Sequence, residues 1–100
     1  MNLEEMRVCA PQALALLKTM ANEKRLFILC NLLDGELSVN ELAERVGLSQ
    51  SALSQHLAIL RNEEYVATRK ASQTVYYSLS GDEVKQIMSL LHQLYSTKTP

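Results

Sequence analysis

Several things are scarce in this chain, and each scarcity excludes something. It has no tryptophan, one phenylalanine and four tyrosines, so aliphatic side chains must do most of the packing. No apolar run approaches the ~20 residues needed to span a bilayer. Glu4 and Glu5 precede any hydrophobic stretch, which argues against a signal peptide. Two cysteines suit a reducing cytoplasm rather than a disulfide scaffold. There is no repeat, linker or low-complexity tract, and only the tail from Ser96 to Pro100 reads as frayed. No Gly-rich phosphate loop or carboxylate pair accompanies Cys30, His56 and His92, the only candidates for a nucleophile–base pair. An enzyme is therefore not expected. Ten Lys and Arg against eleven Asp and Glu give a formal charge of −1, so any surface for a polyanion must be a local patch.

What is present centres on Ser38 to Arg61. Ser38 and Glu41 have the S-x-x-E spacing of a capping box, and Leu42, Ala43 and Val46 follow at helical spacing. Gly47 is placed to end that helix in the left-handed conformation. Ser49 is a good N-cap for a second helix reaching about Asn62. This is a helix-turn-helix pattern, whose second helix commonly enters a DNA major groove. On that helix Leu53, Leu57 and Leu60 form one apolar stripe. The opposite face carries Ser51, Ser54, Gln55 and Ala58, with Gln50 and Arg61 along its edge and no carboxylate until Glu63. Short neutral hydrogen-bonding side chains let a helix lie close to base edges and phosphates.

Before this stretch, residues from about Leu3 to Met20 read as helical. Met6, Ala10, Ala13, Leu17 and Met20 share a face, and Pro11 is placed to kink the helix or start a new turn. Asn22 caps another helix ending near Asp34 and Gly35, on which Leu26, Leu29, Cys30 and Leu33 lie together, placing Cys30 in the core stripe. After the helix-turn-helix the period changes to two. Val66–Lys70 and Thr74–Leu79 form a hairpin with Arg69 and Lys70 near its tip, placed to meet phosphates or a minor groove. Ser80 and Glu83 have capping-box spacing for a last helix with Val84, Ile87, Met88, Leu91, Leu94 and Tyr95 on one face.

The resulting expectation is one mainly α domain over residues 1–100: four helices, a small β-hairpin and a fifth helix, a winged helix-turn-helix. Residues 38–62 form the helix-turn-helix and 66–79 the wing. The helices at 1–20 and 80–95 have more apolar surface than a small core needs, and form a homodimer interface.

The stretches LLKTMANEKRLFIL, ELSVNELAERVGLSQSALSQHLAILR and TRKASQTVYYSL, in this order of elements, resemble the ArsR/SmtB family of bacterial repressors over about Leu14 to Tyr95. The resemblance implies a homodimer that binds double-stranded operator DNA as an imperfect palindrome, with recognition helices in successive major grooves. It also implies promoter control, as repressor or as anti-silencer, in the cytoplasm on the nucleoid. Metal-sensing members carry a Cys-x-Cys-type site where this chain has Ser38 and Asn40. Others use the last helix, at positions that are Gly81, Glu83, Leu94 and Thr97 here, and His92 stands alone. The chain therefore resembles a branch lacking metal sites, and no metal or cofactor is expected. Thiol-responsive relatives pair a cysteine on the second helix with one near the end of the last. Cys30 matches the first, Ser96 stands at the second, and Cys9 is the only other thiol. Many relatives also have glycine where Glu64 ends the recognition helix, so that cap should cost up to ~1 kcal/mol or use another geometry.

The candidate DNA contacts are Asn40, Ser49, Gln50, Ser51, Ser54, Gln55, His56, Arg61, Arg69, Lys70 and Gln73. Gln can pair adenine through two hydrogen bonds, and Ser is less selective. His56 lies at the edge of the core stripe, where it can buttress the helix instead. Cys30 and Cys9 are the possible redox residues, with Cys30 read first as a small core hydrophobe. The alternatives are a thiol- or sulfide-responsive repressor using Cys30 and a winged-helix protein–protein module, which the acidic balance keeps open.

Overall fold

The computed structural model describes residues 1–96; the expected fraying of 97–100 and the position of Thr97 fall outside that range. Nine elements follow one another: α1 (Leu3–Met20), α2 (Glu23–Asn31), a 3-10 turn (Leu32–Asp34), β1 (Leu37–Ser38), α3 (Val39–Val46), α4 (Gln50–Asn62), β2 (Val66–Ala71), β3 (Thr74–Leu79) and α5 (Glu83–Tyr95). The hairpin is as expected, but β1 adds a third strand in the antiparallel order β1-β3-β2. Its register is Leu37↔Tyr77 and Ser38↔Tyr76. Two residues are too short to display a period of two, so β1 could not be read from the pattern.

Local chemistry sets most helix ends. Asn2 accepts from the Glu5 N–H at 2.8 Å, and the Glu5 carboxylate accepts in turn from the Asn2 N–H, a capping box that starts α1. Pro11 does not split this helix, which runs unbroken from Leu3 to Met20. Pro11 is exposed, on a side where water can take the carbonyl that proline leaves unbonded. Asn22 caps α2 through the Arg25 N–H, and Arg25 Nε donates to the Thr19 carbonyl at 2.8 Å, tying α1 to α2.

The box expected at Ser80 and Glu83 does not form. Asp82 occupies the N-cap of α5 without a side-chain bond. The Ser80 N–H donates to the Tyr65 carbonyl at 3.0 Å, which prolongs the pairing of β3 and holds Ser80 outside the helix. Glu83 folds back over Gly81, whose φ is +79°; a Cβ there would lie 2.6 Å from Glu83 Oε2.

The core lies where α2, α3 and α4 meet the sheet. Ile28, Leu29, Leu42, Leu53, Leu60 and Val84 are fully buried, with Leu57, Leu32 and Val66 beside them. Cys30 is not among them. The expected stripe on α2 is rotated, because Ile28, Leu29 and Leu32 face inward while Cys30 is exposed. Cys30 sits instead on a second apolar face with Leu26 and Leu33, opposite Met88, Leu91, His92 and Tyr95 of α5. A helix with two apolar faces leaves the inward one to be chosen by its neighbours.

Candidate nucleic-acid interface

The helix-turn-helix is built from reciprocal caps. The Ser38 hydroxyl accepts from the Glu41 N–H at 3.2 Å, and the Glu41 carboxylate accepts from the Ser38 N–H at 2.9 Å. These bonds with Ser38 hold the Glu41 carboxyl below the usual carboxylate range. Gly47 ends α3 at φ +75°, the left-handed conformation expected of it. Ser49 accepts from the Ala52 N–H at 3.2 Å and starts α4. Ser38, one of the positions compared with metal ligands, is thus used as a cap. Asn40, the other, accepts a hydrogen bond from Gln50 Nε2.

α4 presents the two faces its sequence describes. Leu53, Leu57 and Leu60 are at most 1 % exposed, so the outward direction of Gln50, Ser51, Ser54, Gln55 and Ala58 is set by packing on the other side. All five are exposed, as is Arg61 in the last turn. Ser49 Oγ, which accepts the capping bond from Ala52, also lies 3.4 Å from Ser51 Oγ, where either hydroxyl can donate to the other. His56 is half-buried, and its Nδ1 is enclosed without a hydrogen-bond partner. That places His56 between the two faces of α4.

The carboxylates of Glu63 and Glu64 fall away from this surface. α4 is about 20 Å long at 1.5 Å per residue, and both glutamates lie past its far end. There they line a cleft with Gln12, Tyr65 and Glu83, against α1 and the start of α5. Burial, with the charges of Glu63 and Glu83, raises the Tyr65 phenol above its ordinary range. Glu64 ends α4 at φ +64°. Its N–H donates to the Arg61 carbonyl at 3.0 Å and the Tyr65 N–H to the Leu60 carbonyl at 3.0 Å, the paired bonds of a Schellman cap. A glutamate therefore adopts the geometry that favours glycine.

β2 and β3 form the wing, in register from Val66↔Leu79 to Ala71↔Thr74. Only Ser72 and Gln73 separate the strands, and Ser72 takes φ +57° to make the turn. The turn brings Gln73, Thr74 and Val75 against Ser38, Val39, Asn40 and Gln50 across a cleft of about 180 Å³. Three candidates distant in sequence, Asn40, Gln50 and Gln73, therefore share one polar cleft beside the outer face of α4.

The two wing cations differ. Lys70 is exposed and has no ion-pair partner among the described residues. Arg69 is held: its Nε donates to Glu36 Oε2 at 3.2 Å, its terminal nitrogen to Glu36 Oε1, and its guanidinium lies 4.7 Å from the centroid of the Tyr76 ring. The Arg69 hydrogen bond lowers the Glu36 carboxyl, and Glu36 raises Arg69. Glu36 and Tyr76 were not among the sequence candidates. Thirty-three residues separate Glu36 from Arg69, and only sheet register joins them.

Both cysteines are free. Cys9 Sγ lies 3.6 Å from the Met6 carbonyl, while Cys30 lines the apolar groove between α2 and α5.

Comparison with known proteins agrees with this geometry. Residues 22–68, which contain the helix-turn-helix, match the family described as bacterial regulatory protein, arsR family. The transcriptional activator HlyU of Vibrio cholerae serotype O1 is 62 % identical over 95 residues, covering 95 % of this chain and 88 % of HlyU. The solved structure of that HlyU in its reduced form superposes with a TM-score of 0.88 at 61 % identity, covering 93 % of this chain and 98 % of that one. The nodulation protein NolR of Rhizobium meliloti is 51 % identical, covering 87 % of this chain and 71 % of NolR. A homodimeric winged helix-turn-helix DNA-binding domain from Mycobacterium bovis, a possible ArsR-family regulator, gives a TM-score of 0.80 at 25 % identity, covering 95 % and 88 %. The chain belongs to the arsR family of bacterial regulatory proteins, in the branch that holds HlyU and NolR.

Proposed function

We propose that this DNA-binding transcriptional regulator is a single domain that acts as a homodimer on an imperfect palindrome in promoter DNA, in the cytoplasm. It acts there as a repressor or by displacing a silencing protein. The observation that carries the reading is the outer face of α4. Gln50, Ser51, Ser54 and Gln55 are all exposed and uncharged, and the wing tip closes a polar cleft beside them. Gln55 reads a base edge, and Gln50 is oriented for the same task by Asn40. Lys70 and Arg61 meet phosphates. In a chain of charge −1, these residues supply a local rather than a global field.

The dimer is supported by what α1 and α5 leave uncovered. Leu3, Met6, Val8, Leu14 and Leu17 on α1, with Leu90, Leu94 and Tyr95 on α5, are each at least 45 % exposed. Apolar surface of this extent on a small domain suits a partner of the same kind. The homodimeric M. bovis relative agrees with this. The test is selection of duplexes from a random pool, followed by salt titration. Gln55→Ala is expected to change which sequences are selected. Lys70→Ala is expected to weaken all sequences alike and flatten the slope of log affinity against log salt by about 0.9 for each phosphate it leaves unneutralised. Equal loss on selected and random DNA for Gln55→Ala would remove its reading role.

A second reading is favoured by one observation, the exposure of Cys30. Because the thiol lies in an open groove rather than the core, an oxidant can reach it. A thiol-responsive regulator is expected to lose or gain operator affinity on peroxide or polysulfide treatment, and Cys30→Ser to abolish the response. Equal affinity before and after treatment would leave Cys30 without this role.

A further inference from the structure

The base of the wing is anchored in the core, where Val66 is buried and Tyr77 and Leu79 pack against it. β1 contributes only two residue pairs to β3, and the tip of the hairpin extends beyond them. Glu36 stands immediately before β1, and β1 runs without a break into α3, whose N-cap is Ser38. A carboxylate at position 36 is therefore fixed to the helix-turn-helix through two residues of strand. Arg69 reaches it from the outer strand of the wing with two nitrogens, lying across Tyr76 of the central strand. A guanidinium that is forked on a carboxylate and stacked on a ring is held in one orientation, unlike a lysine on a single point charge. The clamp spans all three strands.

Alternation along β2 separates the two cations. Successive residues of a strand point to opposite faces, so Arg69 and Lys70 diverge. Arg69 pairs with Tyr76, on the face where Glu36 holds it, whereas Lys70 pairs with Val75 on the opposite face. One cation is committed to the protein. The other is exposed and has no ion-pair partner among the described residues.

We propose that Glu36 is a positioning residue for DNA binding. It holds Arg69 as a strut that sets the pitch of the wing against α4, and leaves Lys70 as the cation of the wing that meets phosphate. This rests on the DNA-reading function proposed above. It assigns a role to a residue remote from the recognition helix and changes that of Arg69 from phosphate binding to strut.

The experiment measures affinity for duplexes that the wild-type protein selects from a random-sequence pool, and for the unselected pool. It is run at several salt concentrations and at a temperature where circular dichroism shows every variant folded. Glu36→Gln and Arg69→Gln are each expected to weaken binding roughly three- to five-fold, the scale of one exposed but well-formed ion pair. The double variant should be no weaker than either single one, because both remove the same ion pair. Arg69→Lys should be as weak as Arg69→Gln, since it keeps the charge and removes the fork. The exchange of Glu36→Arg with Arg69→Glu restores the ion pair without the stacking on Tyr76, and should recover part of the affinity lost by either single variant.

Tighter binding by Glu36→Gln, with near-normal binding by Arg69→Lys, would overturn the proposal: Arg69 would then bind phosphate and Glu36 would restrain it. Unchanged affinity in every variant would overturn it too, leaving a surface ion pair without a role in binding. If the wild-type protein selects no duplex, the DNA-reading function fails and this proposal falls with it. If the wild type binds and only the Glu36 variants behave otherwise, the strut alone is refuted.

Discussion

In α4, Leu53, Leu57 and Leu60 are at most 1 % exposed; in α5, Leu90 and Leu94 are more than half exposed and Tyr95 three-quarters. Both helices carry apolar residues at the same three- and four-residue spacing. α4 is enclosed by α2, α3 and β2, so its stripe has neighbours within the chain. α5 follows the sheet and buries only Val84 and Met88. α1 behaves like α5: of its many apolar residues only Leu16 and Met20 are buried. Helical periodicity shows that a face is apolar. Whether that face becomes core or interface depends on what the rest of the chain leaves beside it.

The largest test of this contrast is truncation in each region. Leu57→Ala should lower unfolding free energy by about 2–5 kcal/mol in urea denaturation, whatever the protein concentration. Leu94→Ala should change the stability of the isolated protomer by less than about 0.5 kcal/mol. It should instead weaken self-association in sedimentation equilibrium. A destabilisation by Leu94→Ala as large as that by Leu57→Ala, at every concentration, would place both leucines in one core.

A comparison of the two helix ends gives a smaller effect with opposite signs. Gly47 and Glu64 both take left-handed backbone, at φ +75° and +64°. Gly47→Ala should cost about 1–2 kcal/mol, because a Cβ is disfavoured in that conformation. Glu64→Gly should raise stability by up to about 1 kcal/mol and leave the Schellman bonds in place. Destabilisation by Glu64→Gly would mean that its side chain contributes more than its backbone strain removes.

The capping box of α3 predicts a loss on the order of 1 kcal/mol for Ser38→Ala. It also predicts a weak dependence on pH. The bonds with Ser38 lower the folded-state pKa of Glu41 below its unfolded value. Its contribution is therefore present above the ordinary glutamate range and is lost as pH falls through the lowered folded value. Denaturation curves from neutral to acid pH should show this component in the wild type and not in Glu41→Gln. The smallest effect is expected at the wing. Ser72→Gly should stabilise the turn by a few tenths of a kcal/mol to about 1 kcal/mol, by supplying the residue best suited to φ +57°.

The legible parts of this molecule are those governed by interactions within about four residues. The boxes and caps at Ser38, Gly47 and Ser49, the Leu53–Leu57–Leu60 stripe and the alternation of β3 each follow from one side chain and its neighbours on the same element. That was enough to place Ser51, Ser54 and Gln55 on the outer face. The box expected at Ser80 does not form because a long-range bond from Ser80 to Tyr65 competes with it. Cys30 departs from its expected place because α2 has two apolar faces and its own pattern does not rank them.

Written in the order of residues, then, are the helix-turn-helix, the hairpin and an uncharged outer face of α4, because caps and periodicity act over one or two turns. Packing across the chain settled the rest. It turned Cys30 to the surface, drew Asn40, Gln50 and Gln73 into one cleft and bound Arg69 to Glu36 while leaving Lys70 free of an ion pair among the described residues. Those outcomes depend on the register of three strands and on which helix face finds a neighbour, and neither is a property of any short stretch of sequence.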